Sequence, residues 1–215
     1  GHPEWHIMQD VFPLLNGNCE FVSMDGQTHV IDGKWDMIIA FPPCTDLAGS
    51  GAAWFEKKRA DGSQRSSIEF FCKFFDADRE RVVIENPVGI ISGDYILEHF
   101  PDLAEKHGLP KKPSQVIQPW MFGDKAKKTT CIWLKGVNPL KPDITTEPEL
   151  EYFEWIDRKT GKKKRQPLWY YEARKGDHRK NRSKTFLGNE KARAEQRGER
   201  ERAIVMTLSE TLTET

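Results

Sequence analysis

The sequence contains no long apolar run: none approaches the roughly 20 residues of a membrane-spanning helix, and no signal peptide is visible. It carries no net charge, because 33 basic residues balance 33 acidic ones. The four cysteines form no Cys-x-x-Cys pair, which indicates reduced thiols in a cytoplasm-like compartment. Neither a P-loop nor a histidine cluster at metal-ligand spacing is present. We therefore expect a cytoplasmic protein without a membrane segment or a metal site.

The chain is long enough for one α/β domain with a small appendage, at 215 residues. Residues 35–41 and 81–84 are apolar runs without alternation, which predicts two strands buried on both faces. Between them, residues 64–78 predict a helix whose apolar stripe is formed by Ile68, Phe71, Cys72 and Phe75. Strand, helix and strand in this order predict a right-handed βαβ unit with parallel strands.

The rest of the chain gives weaker signals. Residues 19–32 are typical of a β-hairpin that turns at Asp25-Gly26. Short strands are predicted at residues 115–117 and 130–134, followed by a proline-interrupted, loop-rich lobe. Residues 192–208 predict a highly charged helix.

Two polar residues follow the buried strands of the βαβ unit. Cys44 comes after Phe41-Pro42-Pro43, and Glu85 directly follows the second strand. The ends of parallel neighbours meet at the carboxyl edge of a sheet, where open α/β sheets bind ligands. Taken alone, Cys44 is equally consistent with a small buried residue, and Glu85 with a carboxylate that caps a neighbouring N–H.

Together, the thiol and the carboxyl suit attack on an electron-poor heterocycle. A thiolate adds to a ring carbon, and the carboxyl hydrogen-bonds or protonates a ring nitrogen, which stabilises the developing charge. The pattern therefore predicts covalent catalysis on a ring substrate.

Positive charge is concentrated late in the chain. Residues 158–184 contain twelve Lys and Arg against two acids, Glu172 and Asp177. Trp169, Tyr170 and Tyr171 lie within this run, and aromatic side chains among cations are typical of nucleic-acid binding. A solvated loop face is the other interpretation of the same run.

Several motifs resemble those of the DNA cytosine-5 methyltransferases, in particular the short, phage-type branch. Phe41-Pro42-Pro43-Cys44-Thr45, followed by Ser50-Gly51, is similar to the family's Pro-Cys motif and mobile catalytic loop. Ile84-Glu85-Asn86-Pro87 is similar to its Glu-Asn-Val motif, with Pro87 in place of Val. Residues 123–136 resemble the base-supporting motif, and residues 182–189 the C-terminal Gly-Asn motif. The resemblance spans residues 5–196.

The resemblance implies an α/β fold, namely a Rossmann-like class I methyltransferase sheet that lacks its first strands, with a small loop-rich basic lobe. Residues 1–137 and 183–208 would form the catalytic core, and residues 138–182 the lobe that contacts DNA. Cys44 would attack C6 of a cytosine flipped out of double-stranded DNA, and Glu85 would contact ring N3 and the exocyclic amine. S-adenosylmethionine would supply a methyl group to C5. Such an enzyme would work in the cytoplasm of a bacterium or a phage-infected host.

The same resemblance implies roles for further residues. The target base would be contacted by Ser50, Asn86, Pro87 and Lys128. The cofactor would be contacted by Asp10, Pro42 and Asn189. DNA phosphates would be contacted by Lys162, Lys163, Lys164, Arg165, Arg179 and Arg182.

The chain departs from the family pattern at the cofactor motifs. No Gly-rich turn and no ribose-binding acid precede Asp10, so the chain starts about two strands into the fold. Thr45 replaces the usual Gln, and Lys127-Lys128-Thr129 replaces Arg-x-Arg. Three interpretations follow: the missing part was lost, a second chain supplies it, or the protein is a non-catalytic DNA-binding remnant. An unrelated thiol enzyme that acts on a small molecule is a further alternative.

Overall fold

The computed structural model describes His6, Ile7, residues 9–173 and the backbone of Ala203–Thr207. The strands are β1 (Cys19–Val22), β2 (Thr28–Ile31), β3 (Met37–Phe41), β4 (Val82–Pro87), β5 (Gln115–Ile117), β6 (Thr130–Lys135), β7 (Tyr152–Ile156), β8 (Lys163–Pro167) and β9 (Ala203–Thr207). The helices are α1 (Phe55–Ala60), α2 (Ser63–Phe75), α3 (Tyr95–His99), α4 (Pro101–His107) and α5 (Leu168–Glu172). Within this part of the chain, no helix is both long enough and apolar enough to span a membrane.

The main sheet has five strands in the order β5-β6-β4-β3-β9. β3 pairs in parallel with β4, and Ala40 lies opposite Ile84. Because α2 connects β3 to β4, the predicted strand, helix and parallel strand are confirmed, and the fold is α/β. β4 extends to Pro87, three residues beyond the predicted end at residue 84.

The described residues divide into two compact units. The first contains the chain up to Gln115, residues 131–139 and Ala203–Thr207. The second contains residues 116–130 and 140–173.

The core of the first unit is built around α2. Ile68, Phe71 and Cys72 are fully buried, as the helical periodicity predicts. Phe74, which widens the predicted stripe, is also buried, whereas Phe75 is only half-buried. The Phe71 ring packs edge-on against Trp133 of β6, with 5.1 Å between ring centroids.

The predicted hairpin is confirmed. β1 and β2 pair antiparallel, with Val22 opposite Thr28. The turn between them contains Asp25 and Gly26, and Gly26 has a φ of 84°, a backbone conformation that favours glycine.

The prediction of a helix at residues 192–208 is wrong for residues 203–207. Ala203–Thr207 is a strand that pairs in parallel with β3, with Met37 opposite Ala203. A short apolar run does not distinguish helix from strand by its period, and Ile204 and Val205 are β-branched residues that favour a strand. Residues 192–202 lie outside the described chain.

The second unit contains a hairpin that the sequence analysis missed. β7 and β8 pair antiparallel, with Tyr152 opposite Pro167 and Ile156 opposite Lys163. The strand β8 is almost entirely polar, so it carries no apolar alternation that would have identified it.

We expect Phe71→Ala to lower the free energy of unfolding by about 3–5 kcal/mol, because it removes a fully buried ring and leaves a cavity. Ser66→Ala, at an exposed position of α2, should change it by less than about 0.5 kcal/mol. Denaturant unfolding of both variants measures the difference. Equal losses in the two variants would contradict the assigned core.

Candidate active site

Cys44 and Glu85 lie at the carboxyl ends of neighbouring parallel strands, with Cys44 beyond β3 and Glu85 within the last part of β4, where the sequence had predicted that the strand ends before it. Cys44 follows the last residue of β3, Phe41, by three positions, and Glu85 follows Ile84 within β4. The register that pairs Ala40 with Ile84 brings both residues to the same edge of the sheet. The Cys44 side chain is exposed and that of Glu85 is half-buried, so a ligand can reach the sulfur from solvent.

A buried hydrogen bond ties these two strand ends together. Asn86 is 3% exposed, and its Nδ2 donates to the carbonyl oxygen of Pro42 at 2.8 Å. The bond joins the residue after Glu85 to a residue just before Cys44. It therefore restricts how far the two reactive groups can separate. The sequence analysis assigned Asn86 to the base, and the structure gives its amide nitrogen a backbone partner.

The segment after Cys44 is folded back onto the segment after β4. The Cys44 carbonyl accepts from the N–H groups of Leu47 at 3.1 Å and Ala48 at 2.9 Å. Ala48 forms an antiparallel bridge with Gly89, and Ile90 N–H donates to the Leu47 carbonyl at 3.0 Å. A Cβ at Gly89 would lie 2.0 Å from that carbonyl oxygen, so only glycine fits this approach.

Ser50 and Pro87 border this bridged region. Ser50 is exposed and lies in the 3-10 helix Gly49–Trp54 that leads into α1. Pro87 is half-buried and ends β4. The sequence predicts that residues 45–51 form a loop that moves over a ligand. In the structure, its first part, up to Gly49, is hydrogen-bonded to the chain after Pro87.

Asp46 connects the same segment to two helices. Its carboxylate accepts from Lys58 Nζ at 3.0 Å and from Ser67 Oγ at 2.8 Å, and its carbonyl accepts from Gln64 Nε2 at 3.0 Å. Lys58 also donates to the Thr45 carbonyl. The backbone next to Cys44 is thus held by side chains of α1 and α2.

Sequence reasoning did not identify this cluster. Gln64 is fully buried, and its Oε1 accepts from the Tyr95 hydroxyl at 2.9 Å. A signal was present, because Gln64 lies one helical turn before Ile68 and is therefore a polar residue on the apolar face of α2. Buried polar groups require partners, and this one predicts a contact outside its own helix.

The described residues do not assemble a site for S-adenosylmethionine. Asp10 Oδ1 accepts from the N–H of Phe12 at 3.1 Å, and the Pro42 carbonyl is bound by Asn86. Asn189 lies outside the described chain. Lys128 belongs to the second unit, and its neighbour Lys127 pairs with Glu147 at 2.7 Å. Of the three residues that the resemblance assigns to the cofactor, two thus have partners within the chain, and the binding of S-adenosylmethionine stays a prediction.

The cationic strand β8 is partly neutralised by acids. Lys163 pairs with Glu154 at 2.6 Å, and Lys164 pairs with Asp157. Arg165 lies over the Tyr152 ring, 4.7 Å from its centroid. Lys162 is exposed in the turn before β8, whereas Arg179 and Arg182 lie outside the described chain.

The other three cysteines are protected from reaction. Burial raises the pKa of Cys72 to about 12 and also raises the pKa of Cys131. Desolvation raises the pKa of the half-buried Cys19, and its Sγ lies 3.9 Å from the Leu14 carbonyl oxygen. Since the thiolate is the reactive form, Cys44 is the most accessible nucleophilic thiol of the four.

Comparisons of the chain with protein families, curated proteins and solved structures found no match. The described residues also contain no group of three His, Cys, Asp or Glu side chains arranged to hold a metal ion.

We expect iodoacetamide at neutral pH to alkylate Cys44 well before the other cysteines in the folded protein, because Cys44 alone of the four is exposed. Mass spectrometry of the peptides measures the order of labelling. Cys44→Ser should abolish the fast phase. Labelling of Cys72 or Cys131 at the rate of Cys44 would contradict the structure.

Asp46→Asn should lower the free energy of unfolding by about 1–2 kcal/mol, because it breaks an ion pair whose side chains are 16% and 20% exposed. Asp78→Asn is the matched control. The Asp78 side chain is 83% exposed and that of its partner Lys34 is 58% exposed, so this ion pair should contribute less than about 0.5 kcal/mol to the free energy of unfolding. Chemical denaturation compares the two. Indistinguishable midpoints would argue against a role of Asp46 in holding the segment.

Proposed function

We propose that this chain is the catalytic region of a DNA cytosine-5 methyltransferase, which transfers a methyl group from S-adenosylmethionine to C5 of cytosine through a covalent Cys44 adduct. The observation that carries the proposal is that the exposed Cys44 and the half-buried Glu85 belong to the same edge of the sheet, with their strand ends joined by the Asn86–Pro42 hydrogen bond. The α/β sheet would be of the Rossmann-like methyltransferase type. Residues 138–182 would contact double-stranded DNA.

In this mechanism the Cys44 thiolate forms a bond to C6 of the cytosine ring. The π electrons of the C5–C6 bond move toward C5 and the ring, which makes C5 nucleophilic. Glu85, in contact with N3 and the exocyclic amine, donates a hydrogen bond or a proton to N3 and so stabilises the charge that the ring gains. When a proton at C5 is lost and the sulfur leaves, the aromatic ring is restored and the thiolate is free again.

The scaffold supports this chemistry by fixing the thiol before the base arrives. The bridge between Ala48 and Gly89 and the Asp46 contacts hold the backbone on both sides of the site. A nucleophile held near its reactive position loses less freedom in the transition state. S-adenosylmethionine, when bound, supplies the methyl group.

The first step can be tested without the cofactor. Addition of Cys44 to C6 lets C5 take up a solvent proton, and elimination then releases either hydrogen. The protein should therefore release tritium from DNA that carries 5-tritiated cytosine. Cys44→Ser should abolish the release, and Glu85→Gln should slow it by about 100-fold or more. Liquid scintillation counting of the released water measures the rate.

Cys19→Ser is the control, because Cys19 is half-buried and belongs to the β1–β2 hairpin. This variant should release tritium at the rate of the unmodified protein. Release that persists in Cys44→Ser, or protein that binds the DNA without any release, would overturn covalent catalysis.

A second candidate is a non-catalytic DNA-binding remnant of such an enzyme. It is favoured by the engagement of Asp10 with Phe12 and of Pro42 with Asn86, which leaves no assembled cofactor site among the described residues. This candidate predicts DNA binding that weakens steeply with salt, with no release of tritium. The release assay and a binding isotherm at two salt concentrations separate the two candidates.

A further inference from the structure

A groove on the second unit lies apart in sequence from Cys44 and Glu85 and has no role in the proposed reaction. It has a volume of about 330 Å³ and is lined by Phe153, Trp155, Gln166 and Tyr171. All four side chains are half-buried, so each keeps part of its surface available to a ligand. The volume lies at the lower end of the range for small-molecule pockets, a size suited to a single ring system.

The hairpin register builds this groove. Phe153 and Trp155 alternate along β7 and therefore lie on the same face, and Gln166 of β8 lies directly opposite Phe153. Tyr171 of α5 stacks on Phe153, with 3.7 Å between ring centroids and 7° between planes. The Phe153 and Trp155 rings are 5.9 Å apart and tilted by only 24°. Three nearly parallel rings thus line one groove.

We propose that this groove binds an unpaired nucleobase of a DNA strand. A base presents a flat π face that can extend the existing ring stack, and stacking of this kind tolerates every base. The Gln166 amide offers both a donor and an acceptor to the polar edge of the base. This inference rests on the proposed function in one respect only: it takes DNA as the polymer that delivers the base.

The charges around the groove favour a nucleic acid over a cationic ligand. The acids of β7 and its turn are already engaged, since Glu154 pairs with Lys163 and Asp157 with Lys164. The Lys164 ammonium and hydrogen bonds from Thr160 hold the pKa of Asp157 well below its usual range. No acid in this group is therefore left to attract an ammonium ligand.

The turn itself carries cations that suit a phosphate backbone. Arg158, Lys159 and Lys162 are exposed and make no ion pair within the described chain. They occupy the hairpin tip, only a few residues beyond Trp155. A strand whose base lies in the groove would thus pass close to positive charge, as in proteins that bind single strands.

The test is binding of a fluorescein-labelled single-stranded oligonucleotide to the full chain, followed by anisotropy. Trp155→Leu, which keeps an apolar side chain but removes the ring, should weaken binding by about tenfold. Trp155→Phe restores a ring and should remain within about threefold of the unmodified protein. Circular dichroism confirms that each variant is folded.

Tyr152→Leu is the matched control, because Tyr152 is an aromatic residue of the same strand on the opposite face of the hairpin. It should leave single-strand binding within about threefold of the unmodified protein. Equal effects of Trp155→Leu and Tyr152→Leu, or no effect of Trp155→Leu, would overturn the proposal.

Two further measurements identify the ligand. A blunt duplex of the same sequence should be less sensitive to Trp155→Leu than the single strand, since its bases are already stacked. If the DNA strand is the ligand, a deoxynucleoside monophosphate should compete only weakly with the oligonucleotide, even at millimolar concentration. Displacement of the oligonucleotide at micromolar concentration would instead indicate a free nucleotide as the ligand and would overturn the assignment to DNA. Single-strand binding that depends on Trp155, with no tritium release, would overturn the catalytic proposal and leave the groove. Tritium release with no effect of Trp155→Leu on single-strand binding would overturn the groove alone, so the two failures give different results.

Discussion

The hydrogen bond from Asn86 to the Pro42 carbonyl is the contact on which the candidate site depends. Parallel pairing of β3 and β4 brings two strand ends to one edge, but the chain after each strand is free to diverge. The buried amide removes that freedom, since breaking it would leave a polar group without a partner in the interior. Cys44 and Glu85 consequently emerge from a backbone whose spacing is set before any substrate binds.

The contacts around this hydrogen bond extend the same constraint along the chain. Gly89 permits the close approach of the Leu47 carbonyl, and Asp46 links the segment after Cys44 to α1 and α2. The chain next to Cys44 is therefore held by side chains far from it in sequence. Such preorganisation would suit the covalent catalysis proposed above, because the sulfur would have to meet a ring carbon along one direction.

In the second unit, ion pairs neutralise part of the cationic segment. In the sequence, residues 158–184 are strongly cationic, yet Lys163 and Lys164 are matched by Glu154 and Asp157 across the hairpin. What remains distinctive in the described part of this unit is the ring cluster of Phe153, Trp155 and Tyr171, with cations at the tip of the same hairpin. Stacking and charge together offer a more specific hypothesis for nucleic-acid contact than the charge run alone.

The sequence by itself determined the strand–helix–strand unit and the position of Cys44 and Glu85 at its edge, because apolar runs and helical periodicity are local properties of the chain. It also located the β1–β2 hairpin, whose turn depends on Asp25-Gly26. It did not determine the β7–β8 hairpin, because β8 is almost entirely polar and shows no apolar alternation. It also did not determine the strand Ala203–Thr207, because its partner β3 is distant in sequence. Only the tertiary structure decided that Asn86 bonds Pro42, that Asp46 joins two helices and that Lys163 and Lys164 are paired with acids, because each of these is a side-chain contact that no local pattern encodes.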